Sequence, residues 1–65
     1  MELLDKDQLA EFLNVGINTV NYLLYAKKIP RVRVGREYRF VKSEIEAWVN
    51  SKIERPKRYS FDHLM

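Results

Sequence analysis

Apolar positions fall into three blocks at helical spacing and one block of alternation. In the first block, Lys6 to Leu13, the residues Leu9, Phe12 and Leu13 fall on one face. Asn14-Val15-Gly16 interrupts the rhythm. It resumes at about 100° per residue with Ile17, Val20, Leu23 and Leu24, and fades near Lys27-Lys28. Then Arg31, Val32, Arg33 and Val34 alternate, and Tyr38, Arg39 and Phe40 resume the alternation. Ile45, Trp48, Val49 and Ile53 return to helical spacing, with Trp48 assigned to the core. The pattern predicts helix, turn, helix, β-hairpin, helix: a mainly α domain carrying a small two-stranded hairpin.

Local chemistry sets the boundaries. Met1 to Leu4 reads as an extended lead-in with Leu3 or Leu4 touching the core. Asp5 and Gln8 have the spacing of a capping box, and Leu4 and Leu9 that of a hydrophobic staple. Ala10 is small enough for the second helix to approach closely. Asn14 tolerates the left-handed backbone that ends a helix. Val15 is expected to plug the angle between the helices, and Gly16 to serve as N-cap. Two cations, Lys27 and Lys28, suit the C-terminal dipole of the second helix. Pro30 forbids its continuation and pushes Ile29 out of helical geometry. Ser43 and Glu46 are expected to open the third helix as a second capping box.

The hairpin register is pulled two ways. Pairing Val34 with Tyr38 and Val32 with Phe40 puts all four on the inner face. Arg33 and Arg39 then share the outer face, with Arg36 at the tip of a three-residue loop. Gly35 in first place instead suits a two-residue turn. The apolar register is the one expected.

The chain has 65 residues, enough for one small domain that buries about 60% of its unfolded surface. Residues 1–53 are expected to form it, and residues 54–65 a basic and apolar tail that is either flexible or folds one or two of its aromatics back onto the third helix. There is no Cys, so no disulfide framework and no thiolate metal site. The single His, His63, has no convergent partners, so no enzyme, cofactor or metal is expected. No apolar run reaches membrane-spanning length and no signal peptide opens the chain, so a cytoplasmic protein is expected.

Net charge is +3, and its placement changes the picture. Residues 1–26 carry one Lys against four acids, and residues 40–65 five basic against four acidic residues. Residues 27–39 carry six basic residues against one acid. Such a basic stripe beside neutral and acidic segments is what a polyanion-binding surface needs. Opposite the apolar arc, the second helix presents Asn18, Asn21, Tyr22 and Tyr25, flanked by Thr19 and Ala26. That face has amides, phenols and a hydroxyl and no acid. These groups read base edges and phosphates in a major groove. A solvated helix face more often mixes Glu with Lys.

Helix, turn, helix, basic hairpin, helix is a winged-helix order. Residues 3–50 resemble the excisionase-type, MerR-like small winged-helix DNA-binding domains. The resemblance is carried by L-L-D-K-D-Q-L-A-E-F-L-N-V-G-I-N-T-V-N-Y-L-L, by K-K-I-P-R-V-R-V-G-R-E-Y-R-F and by S-E-I-E-A-W-V. Members typically show a Gly-Val-Ser turn, where this chain has Asn14-Val15-Gly16. Lys27 stands where a helix-ending Gly is common. Ile17, Asn21 and Tyr22 stand at or near places where many members carry Arg. The resemblance implies sequence-specific DNA binding, with the second helix in the major groove and the wing on the backbone or in the minor groove.

The expected contacts to double-stranded DNA are therefore Asn18, Thr19, Asn21, Tyr22 and Tyr25 on the second helix. Lys27, Lys28, Arg31, Arg33, Arg36 and Arg39 are expected on the wing and its approach. In the tail, Arg55, Lys57, Arg58, Tyr59 and Phe61 are candidates for a partner. Three functions stay open. The first is an excisionase, a recombination directionality factor that bends DNA and assists an integrase, with further copies on adjacent sites. The second is a small MerR-like transcription regulator. The third is an adaptor whose basic wing meets an acidic protein. None calls for a membrane or a small-molecule ligand, and the first two place the protein on the nucleoid when bound.

Overall fold

A computed structural model describes residues 1–55. The order is β1 (Leu3–Leu4), α1 (Lys6–Leu13), α2 (Ile17–Tyr25), β2 (Val32–Val34), β3 (Glu37–Val41) and α3 (Lys42–Ser51). The strands form one antiparallel sheet in the order β1-β3-β2. The lead-in is thus a strand: Leu3 pairs with Val41 and Leu4 with Phe40. The mainly helical architecture with its hairpin wing is the one the pattern predicts.

Side-chain caps and backbone turns hold the first helix as its sequence dictates. The Asp5 carboxylate accepts from the Gln8 N–H at 2.7 Å, and the Gln8 side chain accepts from the Asp5 N–H at 2.9 Å. Asn14 is left-handed, with φ 57° and ψ 47°. The Val15 N–H donates to the Ala10 carbonyl at 3.0 Å and the Asn14 N–H to that of Glu11 at 3.1 Å, the paired bonds of a Schellman stop. Gly16 caps α2 through its extended backbone alone.

The core is Leu4, Leu9, Val20, Leu24, Ile29, Phe40 and Ile45, with Ala10, Leu13, Leu23, Tyr38 and Trp48 packed against it. Each helix contributes, as do β1 and β3 and the α2–β2 joint, while β2 contributes nothing buried. This core is narrower than the periodic pattern. Phe12, Val15, Ile17, Val49 and Ile53, all expected inside, stand between 36% and 47% exposed. The apolar arcs are wider than a two-layer domain of this size can cover, so their edges emerge at the rim.

The wing takes the other register. Val34 pairs with Glu37, Arg33 with Tyr38 and Val32 with Arg39, across a two-residue turn of Gly35 and Arg36. Gly35 has φ +64°, the left-handed conformation that a two-residue turn with Gly leading demands. Turn geometry overrides side-chain pattern here because β2 has no core to face: all three of its residues are exposed. One residue of slip moves every side chain to the other face. Val32 and Val34 therefore lie outward with Glu37 and Arg39, while Arg33 shares the face of Tyr38 and Phe40. Arg33 and Arg39 are on opposite faces of the wing, not on one.

The third helix also starts earlier than expected. β3 runs into α3 without a loop, Val41 is the N-cap, and no side chain caps the helix. Ser43 lies in the first turn and does not form the expected box.

Candidate nucleic-acid interface

The outward face of α2 is built as its sequence implies. Asn18, Thr19, Tyr22 and Tyr25 are exposed, the first two in its opening turn. Asn21 is only half exposed. Its Oδ1 is buried and has no hydrogen-bond partner, so part of this amide is turned inward. The Tyr22 hydroxyl accepts from the Lys28 ammonium at 3.0 Å, and the same ammonium lies 5.3 Å from the ring centroid. This leaves the Tyr22 O–H free to donate. The Lys6 ammonium lies 5.8 Å from the Tyr25 ring.

The joint between α2 and the wing is stiffly made. The Lys28 N–H donates to the Leu23 carbonyl at 2.9 Å and the Lys27 N–H to that of Leu24 at 3.1 Å, a second Schellman stop. Its left-handed residue is Lys27, at φ 57°. Ile29 plugs the joint into the core. The Trp48 indole N–H donates to the Lys28 carbonyl at 2.9 Å and ties α3 to the joint. Arg31 donates to the Ile29 carbonyl at 3.3 Å. The basic approach to the wing is thus fixed at its backbone while its ammonium groups face solvent.

On the wing, the three arginines diverge. Arg33 donates through Nε to the Gly35 carbonyl at 3.2 Å and lies 5.9 Å from the Tyr38 ring. Arg39, on the other face, pairs with Glu37 at 3.3 Å. Arg36 at the tip has no side-chain partner among the described residues. A cleft of about 440 Å³ opens between the start of α1, the end of α2 and the wing. Tyr25, Arg36 and Arg39 line it together, so the recognition face and the wing meet there; Asp5, Asp7 and Glu37 line it too.

The model of the helix-turn-helix domain matches residues 3–53, spanning both helices of the turn, the wing and α3. The chain belongs to the helix-turn-helix domain family. With its hairpin it is a small winged helix-turn-helix DNA-binding domain, a non-catalytic module. No curated protein and no solved structure shows a significant match to it. The family match does not divide excisionase-type from MerR-like members.

For a helix-turn-helix domain, the expected contact residues are distributed unevenly. Tyr25 lines the cleft together with Arg36 and Arg39, and Tyr22 meets Lys28. Asn18 and Thr19 stand outside the cleft. Arg55 is exposed at the end of the described residues, and Lys57, Arg58, Tyr59 and Phe61 lie outside them. Sequence reasoning missed Lys6 beside Tyr25, whose approach depends on how α1 crosses α2. It also missed the indole bond of Trp48, for which the only sequence signal is that a buried Trp N–H needs a partner.

Proposed function

We propose that this chain is a sequence-specific double-stranded DNA-binding protein of the excisionase type, a recombination directionality factor that assists an integrase. Helix α2 enters the major groove with Asn18, Asn21 and Tyr22 toward bases and Thr19 and Tyr25 toward phosphates. Lys27, Lys28 and Arg31 follow the backbone, and Arg33, Arg36 and Arg39 hold the adjoining groove. The observation that carries the DNA reading is that the exposed, acid-free face of α2 ends beside the basic wing, where Tyr25 lines one cleft with Arg36 and Arg39. A ribbon with one Arg on each face and a third at its tip presents a cation toward each wall of a groove. The excisionase assignment rests on the residues 3–50 resemblance. Such a protein works in the cytoplasm, on the nucleoid when bound, and one domain of this size gains tight specificity by occupying adjacent sites.

Selection of binding sites from random duplexes, followed by titration at several salt concentrations, tests the DNA reading. Each phosphate contact contributes about −0.9 to the slope of log K against log salt. The Arg33, Arg36, Arg39 triple alanine variant is expected to flatten the slope by two to three such contacts, about 2–3. An unchanged slope removes the wing from the interface. Whether an integrase gene lies beside its own, and excision assayed with that integrase, test the rest. Stimulated excision supports it, and selected sites confined to promoters, with no effect on excision, make the protein a regulator.

A further inference from the structure

We propose, on the footing that α2 lies in the major groove, that Tyr22 selects a guanine in the DNA site and that Lys28 is the positioning residue that makes its hydroxyl a donor alone. An ammonium has no lone pair, so in the 3.0 Å bond between the two side chains Lys28 donates and the Tyr22 oxygen accepts. The ammonium lies closer to that oxygen than to the ring centroid, which is 5.3 Å away, so it sits at the hydroxyl end of the phenol. A free phenol both donates and accepts. Here the accepting side holds a full positive charge, which repels the partial positive charge of any further N–H. What Tyr22 offers outward is its O–H. The residue is 58% exposed, on the face of α2 that also carries Asn18 and Tyr25, four residues before it and three after.

The pair is held from behind. Left-handed Lys27 turns the chain at the end of α2. The Lys28 N–H is then bound to the Leu23 carbonyl, and the Lys28 carbonyl to the Trp48 indole. With both backbone groups fixed, the Lys28 side chain returns along the helix to Tyr22, six residues back. One of its three N–H donors is spent there, and the others stay available to the DNA backbone. In the major groove guanine shows two adjacent acceptors, N7 and O6. Adenine shows N7 beside an amino donor, thymine O4 beside a methyl, and cytosine an amino donor alone. An O–H backed by a cation fits guanine best and cytosine worst.

Sites selected from random duplexes by the full chain, by Tyr22→Phe and by Lys28→Met test this. Both side chains are exposed, so the fold does not depend on them. The unaltered chain is expected to select guanine at one position that Tyr22→Phe leaves indifferent, a loss of about three- to tenfold in preference. Lys28→Met frees the hydroxyl to accept as well as donate. At that same position cytosine and adenine should gain several-fold on guanine, while preferences elsewhere in the site stay as they are. Affinity for every duplex falls in this variant as well, so the readout is the preference at the one position. Unchanged base preferences in Tyr22→Phe overturn the proposal, as does a Tyr22-dependent position that favours another base. Unchanged preferences in Lys28→Met overturn it too and leave Lys28 as a phosphate contact. A chain that selects no sequence at all overturns the major-groove reading itself, whereas a selected site without a Tyr22-dependent guanine overturns this inference alone.

Discussion

Lys27 holds a backbone conformation that costs an L-residue about 1–2 kcal/mol. Glycine would hold it freely, at the expense of a more mobile unfolded chain. Lys27→Gly is therefore expected to stabilise the fold by about 1 kcal/mol and raise the melting temperature by about 4–8 °C. It also deletes a cation at the DNA-facing joint, so the salt slope of binding should shrink by about 0.9. Thermal melts and salt titrations of the same variant check the two halves; a fall in melting temperature would mean that the Lys27 side chain holds the joint. Asn21 separates the same two quantities. Its buried Oδ1 lacks a partner, and Ala is the better helix former, so Asn21→Ala should leave stability unchanged or higher by up to about 1 kcal/mol. Specific DNA affinity should nevertheless fall relative to non-specific affinity once DNA draws the Asn21 amide outward, since an Asn–adenine pair, which uses both amide atoms, discriminates by about 1–3 kcal/mol. Equal loss on both DNAs would leave Asn21 as a backbone contact. At this scale Asn14 was legible, because Asn is among the few residues that enter the left-handed region. Lys carries no such sign, and only the Gly common there in the resembling domains pointed to Lys27.

Elements were legible where their ends are decided locally. The Asp5–Gln8 box, the Asn14 stop and the Pro30 break all act within a few residues, and α1 has the bounds its sequence predicts. The failures are where a neighbouring element decides. Ser43 has the spacing of a cap, but pairing of Val41 with Leu3 carries the chain straight into α3. The wing register failed because alternation measures burial, and β2 has nothing to be buried against. Glu37 and Arg39, two apart on β3, share one face of the wing, where the Glu37 side chain is mostly exposed and that of Arg39 about one-third exposed. Such a pair contributes little to stability. It does hold a carboxylate next to one of the cations proposed to meet phosphate. Glu37→Gln is therefore expected to leave the melting temperature nearly unchanged, raise affinity for any duplex several-fold and steepen the salt slope. Competition binding at two salt concentrations reads this out. Weaker binding would mean that Glu37 positions Arg39 for its contact rather than masking it.

At the scale of the whole molecule, stability and function share one small core. Phe40 is fully buried on β3, which pairs with both other strands and packs against α1 and α3. Removing a buried Phe to Ala costs about 3–5 kcal/mol. A single core below about 70–80 residues rarely supplies more than about 3–5 kcal/mol in total. Phe40→Ala should therefore be mostly unfolded at 25 °C, although its buried side chain is not itself proposed to contact DNA. Binding draws on the same equilibrium: a ligand that binds only the folded state, at a free concentration a hundredfold above its Kd, adds about 2.7 kcal/mol. Duplex carrying the selected site should accordingly restore much of the helical circular dichroism of Phe40→Ala, and a scrambled duplex much less. If the variant stays fully helical without DNA, the core is not the seven side chains that pack here. If it is unfolded and the selected duplex restores nothing, the DNA-binding surface is not a property of this fold.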